Sequence, residues 1–121
     1  MKILVIDDDE YSQKFFIDFI GILGGEILNA YTSEEAERML FLNPDVAAIV
    51  MDGHLGEKEQ NTASLITRIR ESYKGPIWGN TGDRGVIALL KEAGCDEVFF
   101  KTPGKGEKGI RDQLDSFFTR K

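Results

Sequence analysis

The sequence predicts an α/β protein in which five short strands alternate with five helices. Five apolar runs, each of strand length, are separated by segments whose apolar residues recur at helical spacing. Strict alternation of this kind is typical of a parallel sheet whose right-handed crossovers place helices on both faces. The length of 121 residues suits one domain. We therefore expect a single doubly wound domain over residues 1–121, without a linker or an internal repeat.

The first two strand–helix pairs have clear boundaries in the sequence. The first strand covers residues 3–6, and its helix should end at Gly24-Gly25, because glycine commonly follows the last helical turn. The second strand covers residues 26–30, and Thr32–Glu35 then has the pattern of a capping box for a helix that ends at Asn43-Pro44. The side chains expected to face the core are Phe15, Phe16, Phe19, Ile20 and Leu23 in the first helix and Ala36, Met39 and Leu40 in the second.

The remaining three pairs repeat this organisation. The third strand covers residues 46–51, and its helix should end near Gly75-Pro76. The fourth strand covers residues 77–80, and the helix after it should end at Gly94. The fifth strand covers residues 98–100 and precedes the last helix. Core-facing side chains are expected at Leu65, Ile66 and Ile69, at Val86, Leu89, Leu90 and Ala93, and at Ile110, Leu114, Phe117 and Phe118.

Four of the five strands end at a residue suited to phosphoryl or metal chemistry. These residues are the Asp7-Asp8 pair, Asp52, Thr81 and Lys101. In open α/β sheets, the carboxyl ends of parallel strands meet at the edge where ligands bind. Adjacent carboxylates attract a hard cation such as Mg²⁺, and a carboxylate can accept a phosphoryl group. The sequence therefore predicts a magnesium and phosphoryl site at this edge.

Each of these residues also has an ordinary structural explanation. Acids cap helices, so Asp9 or Glu10 is expected to cap the first helix and to leave Asp7 and Asp8 free for a metal. Asp52 alone is compatible with a strand-end turn, and Thr81 with a helix cap. The prediction rests on finding all of these residues together, each at the end of a different strand.

The chain resembles the receiver domain of bacterial two-component response regulators, of the single-domain chemotaxis type. The resemblance rests on the acidic end of the first strand, on Met51-Asp52, on Pro76 five residues before Thr81, and on Ala93–Asp96 leading to Lys101. It extends over nearly the whole chain. The family has a flavodoxin-like sheet of strand order 2-1-3-4-5.

The resemblance implies a role for each site residue. Asp52 corresponds to the phosphoacceptor, and Asp7 and Asp8 correspond to the acidic pair that serves Mg²⁺ together with the backbone carbonyl of His54. Thr81 corresponds to the switch hydroxyl, and Lys101 to the lysine that contacts phosphate. The implied phosphoryl donor is a histidine kinase or a phosphotransfer protein, and the phosphoryl group on Asp52 is then hydrolysed slowly. The implied output is a change in the binding of a downstream protein.

The chain departs from the family pattern at four places. Thr102 stands between Lys101 and Pro103, where the family has Lys-Pro, and Leu55-Gly56 stands where it usually has Met-Pro. The loop at residues 57–61 is about two residues longer than usual. Val98 occupies the position of a rotating aromatic. We therefore expect the phosphorylation chemistry to be retained and the aromatic-rotation switch to be unavailable.

Two further positions are expected to act on the lifetime of the phosphoryl group. His54 and Asp83 lie two residues after Asp52 and Thr81, and in the family these places flank the path of the hydrolytic water. An exposed loop histidine without a catalytic role is the simpler explanation of His54. His54 and Cys95 are too few to form a soft-metal site.

Composition and charge narrow the range of partners. A net charge of −6 disfavours nucleic acid. The sequence has no signal peptide and no apolar stretch long enough to span a bilayer, so no membrane association is expected. A single cysteine, Cys95, forms no internal disulfide, which together with these features favours the cytoplasm.

Two alternatives to a working receiver remain open on the sequence alone. One is a receiver-like interaction module that acts without phosphorylation. The other is a phosphatase similar to haloacid dehalogenases, with Asp7 as nucleophile. Against the phosphatase, the fourth position after Asp7 is Tyr11 rather than threonine or valine, and no acidic pair follows Lys101 at another strand end.

Overall fold

The computed structural model describes residues 1–120, so that only Lys121 of the predicted domain lies outside it. A single parallel sheet has the strand order β2-β1-β3-β4-β5. Its strands are β1 (Lys2–Ile6), β2 (Glu26–Ala30), β3 (Ala48–Asp52), β4 (Ile77–Thr81) and β5 (Glu97–Phe100). The helices are α1 (Glu10–Ile22), α2 (Ser33–Leu42), α3 (Ala63–Arg70), α4 (Ile87–Ala93) and α5 (Ile110–Thr119). The predicted fold class and the strand order are both confirmed.

Alternate residues along each strand supply two separate cores. Leu4 and Ile6 of β1 pack with buried residues of α2, α3 and α4, whereas Ile3 and Val5 pack with those of α1 and α5. All residues of β3 and β4 are buried, as expected for central strands covered by helices on both faces. Helices α1 and α5 therefore share one face of the sheet, and α2, α3 and α4 share the other.

The strand register brings the predicted site residues to one edge. Ile6 pairs with Met51, so that Asp7 and Asp52 follow on neighbouring strands. Asp52 pairs in turn with Asn80, and Thr81 pairs with Phe100, which directly precedes Lys101. Because all five strands run parallel, their carboxyl ends lie side by side at this edge.

Several helix boundaries agree with the sequence, and three differ. Helix α3 ends at Arg70 rather than near the predicted Gly75-Pro76, and the starts of α2 and α4 differ in detail. Gly24 and Gly94 follow α1 and α4 with φ values of +85° and +138°, which glycine adopts readily. Thr32 caps α2, but the carboxylate of Glu35 accepts the N–H of Tyr31 rather than that of Thr32, so the predicted capping box forms only on one side. A 3₁₀ turn at Arg84–Val86 precedes α4 because Asp83 caps it through the N–H of Gly85.

Two side chains predicted to face the core lie at its rim instead. Phe15 and Leu89 are 37% and 43% exposed. Phe15 contacts the rings of Phe16 and Phe19 at the edge of α1, and only Phe16 of the three is fully covered. The third strand also begins its pairing at Ala48, two residues later than predicted.

The helices of residues 1–120 are all too short, or too polar, to span a membrane. Every peptide bond in the same range is trans, including the one between Thr102 and Pro103.

Candidate functional site

Three carboxyl groups converge where β1 and β3 end. Asp7 and Asp52 are 2% and 6% exposed, whereas Asp8 faces solvent. Each offers one oxygen, and these three oxygens lie within 4.8 Å of one another. The sequence therefore predicted correctly that these residues meet at one point.

Asp7 and Asp9 have separate functions in the turn after β1. One oxygen of Asp7 accepts the N–H of Asp9 at 2.9 Å. The carboxylate of Asp9 accepts the N–H groups of Tyr11 and Ser12 and caps α1. The prediction that Asp9 or Glu10 caps this helix, leaving Asp7 and Asp8 available, is confirmed for Asp9.

Lys101 places its ammonium group between the two buried carboxylates. Its Nζ lies 3.1 Å from Asp52 Oδ1 and 3.6 Å from Asp7 Oδ2. The backbone N–H of Lys101 donates to the carbonyl of Thr81 at 2.8 Å, which fixes the start of this side chain at the sheet edge. Burial opposes the charged amine, but the attraction of Asp52 and Asp7 outweighs it and raises the pKa of Lys101.

The carboxyl group of Asp52 is strongly perturbed. Burial, followed by repulsion from Asp7, raises the pKa of Asp52 to about 7, although the ammonium group of Lys101 partly opposes this. One ammonium group thus compensates two buried acids only in part. A further cation at this point would stabilise the ionised form of Asp52.

The three carboxylates fit a divalent cation that prefers oxygen ligands, such as Mg²⁺. The turn after Asp52 leaves room beside them, because Gly56 adopts φ +67° and a Cβ there would stand 3.2 Å from Asp8 Oδ2. The predicted fourth ligand, the backbone carbonyl of His54, stays a prediction.

Thr81 lies at the same edge and is fully buried. Its Oγ1 accepts the N–H of Asp83 at 3.0 Å. Gly53, the residue after Asp52, passes so close that a Cβ there would stand 2.5 Å from this oxygen. Glycine at position 53 thus allows the threonine hydroxyl to approach the turn that carries Asp52.

Gln13 is a supporting residue that the sequence analysis did not single out. It is 1% exposed, and its amide nitrogen lies 3.1, 2.9 and 3.0 Å from the carbonyl oxygens of Val5, Asp7 and Ala30. It therefore joins α1 to the ends of β1 and β2 and helps hold the backbone at Asp7. Residue 13 shares a helical face with Phe16 and Ile20, so the spacing alone indicates a buried polar side chain.

Thr62 closes the long loop after Asp52. Its hydroxyl donates to the backbone carbonyl of Asp52 at 2.7 Å, and its N–H donates to the carbonyl of Gly53. The loop is also held by Glu57, whose carboxylate accepts the N–H of Ser33 at the start of α2. No pattern in the sequence indicates these contacts, because they depend on the path of an irregular loop.

His54 and Asp83 form a bridge between the loops that follow Asp52 and Thr81. His54 Nε2 lies 3.2 Å from Asp83 Oδ2, and Nδ1 contacts the carbonyl of Gln60. The bridge joins the loop after β3 to the loop after β4. The sequence analysis placed both residues near the site but did not predict their contact.

The position of the expected rotating aromatic is occupied by a small, packed side chain. Val98 lies over Gly79 of the neighbouring strand, where an added Cβ would stand 3.1 Å from both methyl groups of Val98. Val98 is partly buried against the core shared by α2, α3 and α4.

Comparisons with known proteins agree with this architecture. A two-component response regulator from Clostridium difficile superimposes with a TM-score of 0.82 at 24% identity, covering 100% of this chain and 97% of that one. A response regulator receiver domain protein from Clostridium thermocellum gives 0.79 at 21% identity, covering 98% and 94%. The BeF3-activated N-terminal receiver domain of Klebsiella pneumoniae RstA gives 0.75 at 20% identity, covering 86% and 88%.

No protein-family model matches the sequence, and no curated protein matches it either. The structural matches nevertheless extend over nearly the whole chain. The protein has the fold of a response regulator receiver domain, with an acidic cluster of Asp7, Asp8 and Asp52 at the edge where β1 and β3 end.

Proposed function

We propose that the protein is a stand-alone response regulator receiver that accepts a phosphoryl group on Asp52 in a Mg²⁺-dependent reaction. The observation that carries this proposal is the convergence of three carboxylate oxygens within 4.8 Å, with Lys101 Nζ 3.1 Å from Asp52. The donor is the phosphohistidine of a histidine kinase or of a phosphotransfer protein. Such a receiver acts in the cytoplasm and requires neither nucleic acid nor a membrane.

Asp52 is the nucleophile in this reaction. One carboxylate oxygen attacks phosphorus as the P–N bond of phosphohistidine breaks, and the leaving imidazole takes the electron pair of that bond. Since only the ionised form attacks, a pKa of Asp52 near 7 makes its charge state sensitive to cations. Asp7 and Asp8 would hold Mg²⁺ together with Asp52, and the bound ion would neutralise part of the carboxylate and phosphoryl charge.

Lys101 and Thr81 act on the transferred group. The ammonium group of Lys101 lies between Asp52 and Asp7, from where it can pair with a phosphoryl oxygen. The buried hydroxyl of Thr81 donates to another phosphoryl oxygen once the group is in place. These contacts form only in the phosphorylated state of the protein. Phosphorylation therefore shifts the equilibrium between two conformations that present different binding surfaces to a partner protein.

This receiver transmits phosphorylation to its partner by a mechanism other than rotation of an aromatic side chain. Val98 fills the corresponding position with a short side chain packed on Gly79, which leaves no ring to turn. The partner that reads the phosphorylated state is a protein that recognises the loops around Asp52 and Thr81.

Intact-mass measurement with Mg²⁺ and acetyl phosphate tests the proposal. We expect one phosphoryl adduct on the native chain and none on an Asp52→Ala variant. The control is Glu34→Gln, which removes an exposed acid on α2 and should leave the adduct in place. Absence of the adduct from the native chain would favour a phosphorylation-independent interaction module instead.

A phosphatase assay tests the remaining alternative, a phosphatase that uses Asp7 as its nucleophile. Turnover of a phosphate ester that persists in Asp52→Ala and disappears in Asp7→Ala would indicate a nucleophile at position 7. The receiver proposal predicts no such turnover, because Asp52 is the nucleophile and Asp7, one oxygen of which accepts the N–H of Asp9, serves the metal ion.

A further inference from the structure

Asp7 lies just beyond the part of β1 that pairs with its neighbours in the sheet. The last paired residue of β1 is Ile6, whose partners are Ala30 and Met51. Asp7 is nevertheless 2% exposed, and its carboxylate is one of the three that fit a divalent cation. A metal ligand at such a place needs contacts other than strand pairing to keep its orientation.

Gln13 supplies one of these contacts, at the backbone carbonyl of Asp7. Its Nε2 lies 2.9 Å from that oxygen, and 3.1 and 3.0 Å from the carbonyl oxygens of Val5 and Ala30. Carbonyl oxygens only accept hydrogen bonds, so the nitrogen of the amide and not its oxygen must face this group. One buried amide therefore ties the ends of β1 and β2 to α1.

Asn29 fixes the orientation of the Gln13 amide. Its Nδ2 donates to Gln13 Oε1, the atom that the three carbonyl groups cannot use. Asn29 lies on β2 opposite Val5 and is partly exposed, whereas Gln13 is buried. A flipped Gln13 amide would set its oxygen against three carbonyl oxygens, which repel it. The pair therefore has one favourable arrangement, in which both polar atoms of the Gln13 side chain have partners.

The other polar groups of Asp7 are held as well. Its N–H donates to the carbonyl of Ala30 at 3.0 Å, and its Oδ1 accepts the N–H of Asp9 at 2.9 Å. Its second oxygen, Oδ2, lies 3.6 Å from Lys101 Nζ. Contacts at the N–H and at the carbonyl fix the backbone of Asp7, and the contact at Oδ1 fixes its side chain. The position of Oδ2 follows from these three contacts.

We propose that Gln13, oriented by Asn29, is a positioning residue that sets the affinity of the acidic cluster for Mg²⁺. This inference rests on the proposed function, because it takes the cluster of Asp7, Asp8 and Asp52 to be the metal site. Gln13 acts through the backbone of Asp7. Without the amide, the carbonyl of Asp7 is released, and its carboxylate must be ordered again when the ion binds. Ordering a group at the binding step lowers affinity.

Calorimetric titration of Gln13→Leu with Mg²⁺, at a temperature at which the variant is folded, tests the proposal. We expect its Kd for Mg²⁺ to be about tenfold higher than that of the native chain. The matched control is Ile20→Val, which alters another fully buried side chain on the same face of α1. This control should lower the Tm and leave the Kd unchanged, because it does not touch the backbone of Asp7.

The outcomes separate this inference from the proposed function. If the native chain binds Mg²⁺ and Gln13→Leu binds it equally well, only the positioning function fails, even where the Tm of the variant is lower. If the native chain binds no Mg²⁺, the proposed function fails and the positioning function fails with it.

Asn29→Asp provides a second test that keeps Gln13 in place, and its site on the partly exposed side of β2 suits it if Gln13→Leu does not fold. Near pH 8 the new carboxylate is ionised, so it repels Gln13 Oε1 instead of donating to it. Added negative charge would by itself attract Mg²⁺ and lower the Kd. We expect the opposite, a Kd about threefold higher, as for the loss of one hydrogen bond. A lower or an unchanged Kd would overturn the proposal.

Discussion

Asp52 is buried beside a second carboxyl group, and this position determines how its charge responds to pH. In the unfolded chain an aspartate loses its proton near pH 4, whereas in the folded protein burial and Asp7 raise the pKa of Asp52 to about 7. Between these two values the folded state binds more protons than the unfolded state. The stability contributed by protonated Asp52 is therefore complete below about pH 4 and is lost as the pH rises through 7.

Replacing Asp52 by asparagine should consequently stabilise the protein at high pH and not at low pH. We expect the free energy of unfolding of Asp52→Asn to exceed that of the native chain by about 1–2 kcal/mol near pH 8, where the native carboxylate is ionised. The difference should vanish near pH 4. Urea denaturation without divalent metal measures it, with Asp18→Asn as an exposed control. A difference that is the same at both pH values would contradict the assigned pKa.

His54 offers a second prediction at the scale of one residue. Its ring contacts Asp83 at 3.2 Å and so bridges the loops that follow Asp52 and Thr81. Breaking this bridge should admit water more often, so His54→Ala should shorten the lifetime of the phosphoryl group on Asp52 without preventing its formation. An exposed pair of this kind contributes at most about 1 kcal/mol, which limits the acceleration to about fivefold.

Decay of the phosphorylated mass after removal of the donor measures this lifetime. Asp83→Asn and the double variant complete a cycle, in which the two single changes should not add because they break the same bridge. Equal lifetimes for His54→Ala and the native chain would refute a role for the bridge.

The corner between α1 and β2 shows how one small residue positions a whole element. A Cβ at Gly25 would stand 2.5 Å from the ring of Phe118, near the carboxyl end of α5, and 2.8 Å from Ile20. Gly21, four residues earlier within α1, has no atom within 4 Å of the corresponding position. The last turn of α5 therefore packs directly on the backbone at Gly25, while Gly21 has no packing function.

These two glycines form a matched pair for a stability test. Gly25→Ala should destabilise the protein by about 1–3 kcal/mol because the ring of Phe118 must move. Gly21→Ala should stabilise it by about 0.5–1 kcal/mol through helix propensity. Urea denaturation of both variants measures the difference, and equal effects would mean that α5 does not pack on this corner.

At the scale of the whole molecule, the sequence predicts those features of the fold and of the site that follow from periodic patterns of apolar residues. Apolar runs separated by helical spacing give the alternation of strands and helices, and a parallel register then brings Asp7, Asp52 and Lys101 to one edge. Thr62 and the bridge between His54 and Asp83 could not be predicted, because irregular loops carry them. The exposure of Phe15 was missed for a related reason, since spacing gives the face of a helix but not where the core ends.

Binding of Mg²⁺ should stabilise the entire domain, since β1 and β3 each supply ligands and lie next to each other in the sheet. A ligand that binds only the folded state adds about 1.4 kcal/mol to the free energy of unfolding at ten times its Kd. We expect a rise in Tm with Mg²⁺ for the native chain and a much smaller rise for Asp8→Asn, which removes one exposed ligand and disturbs no buried contact. Glu34→Gln serves as the control for loss of an exposed acid elsewhere. If Mg²⁺ leaves the native Tm unchanged, the cluster is not a metal site, and the interaction-module alternative becomes the better account of this receiver fold.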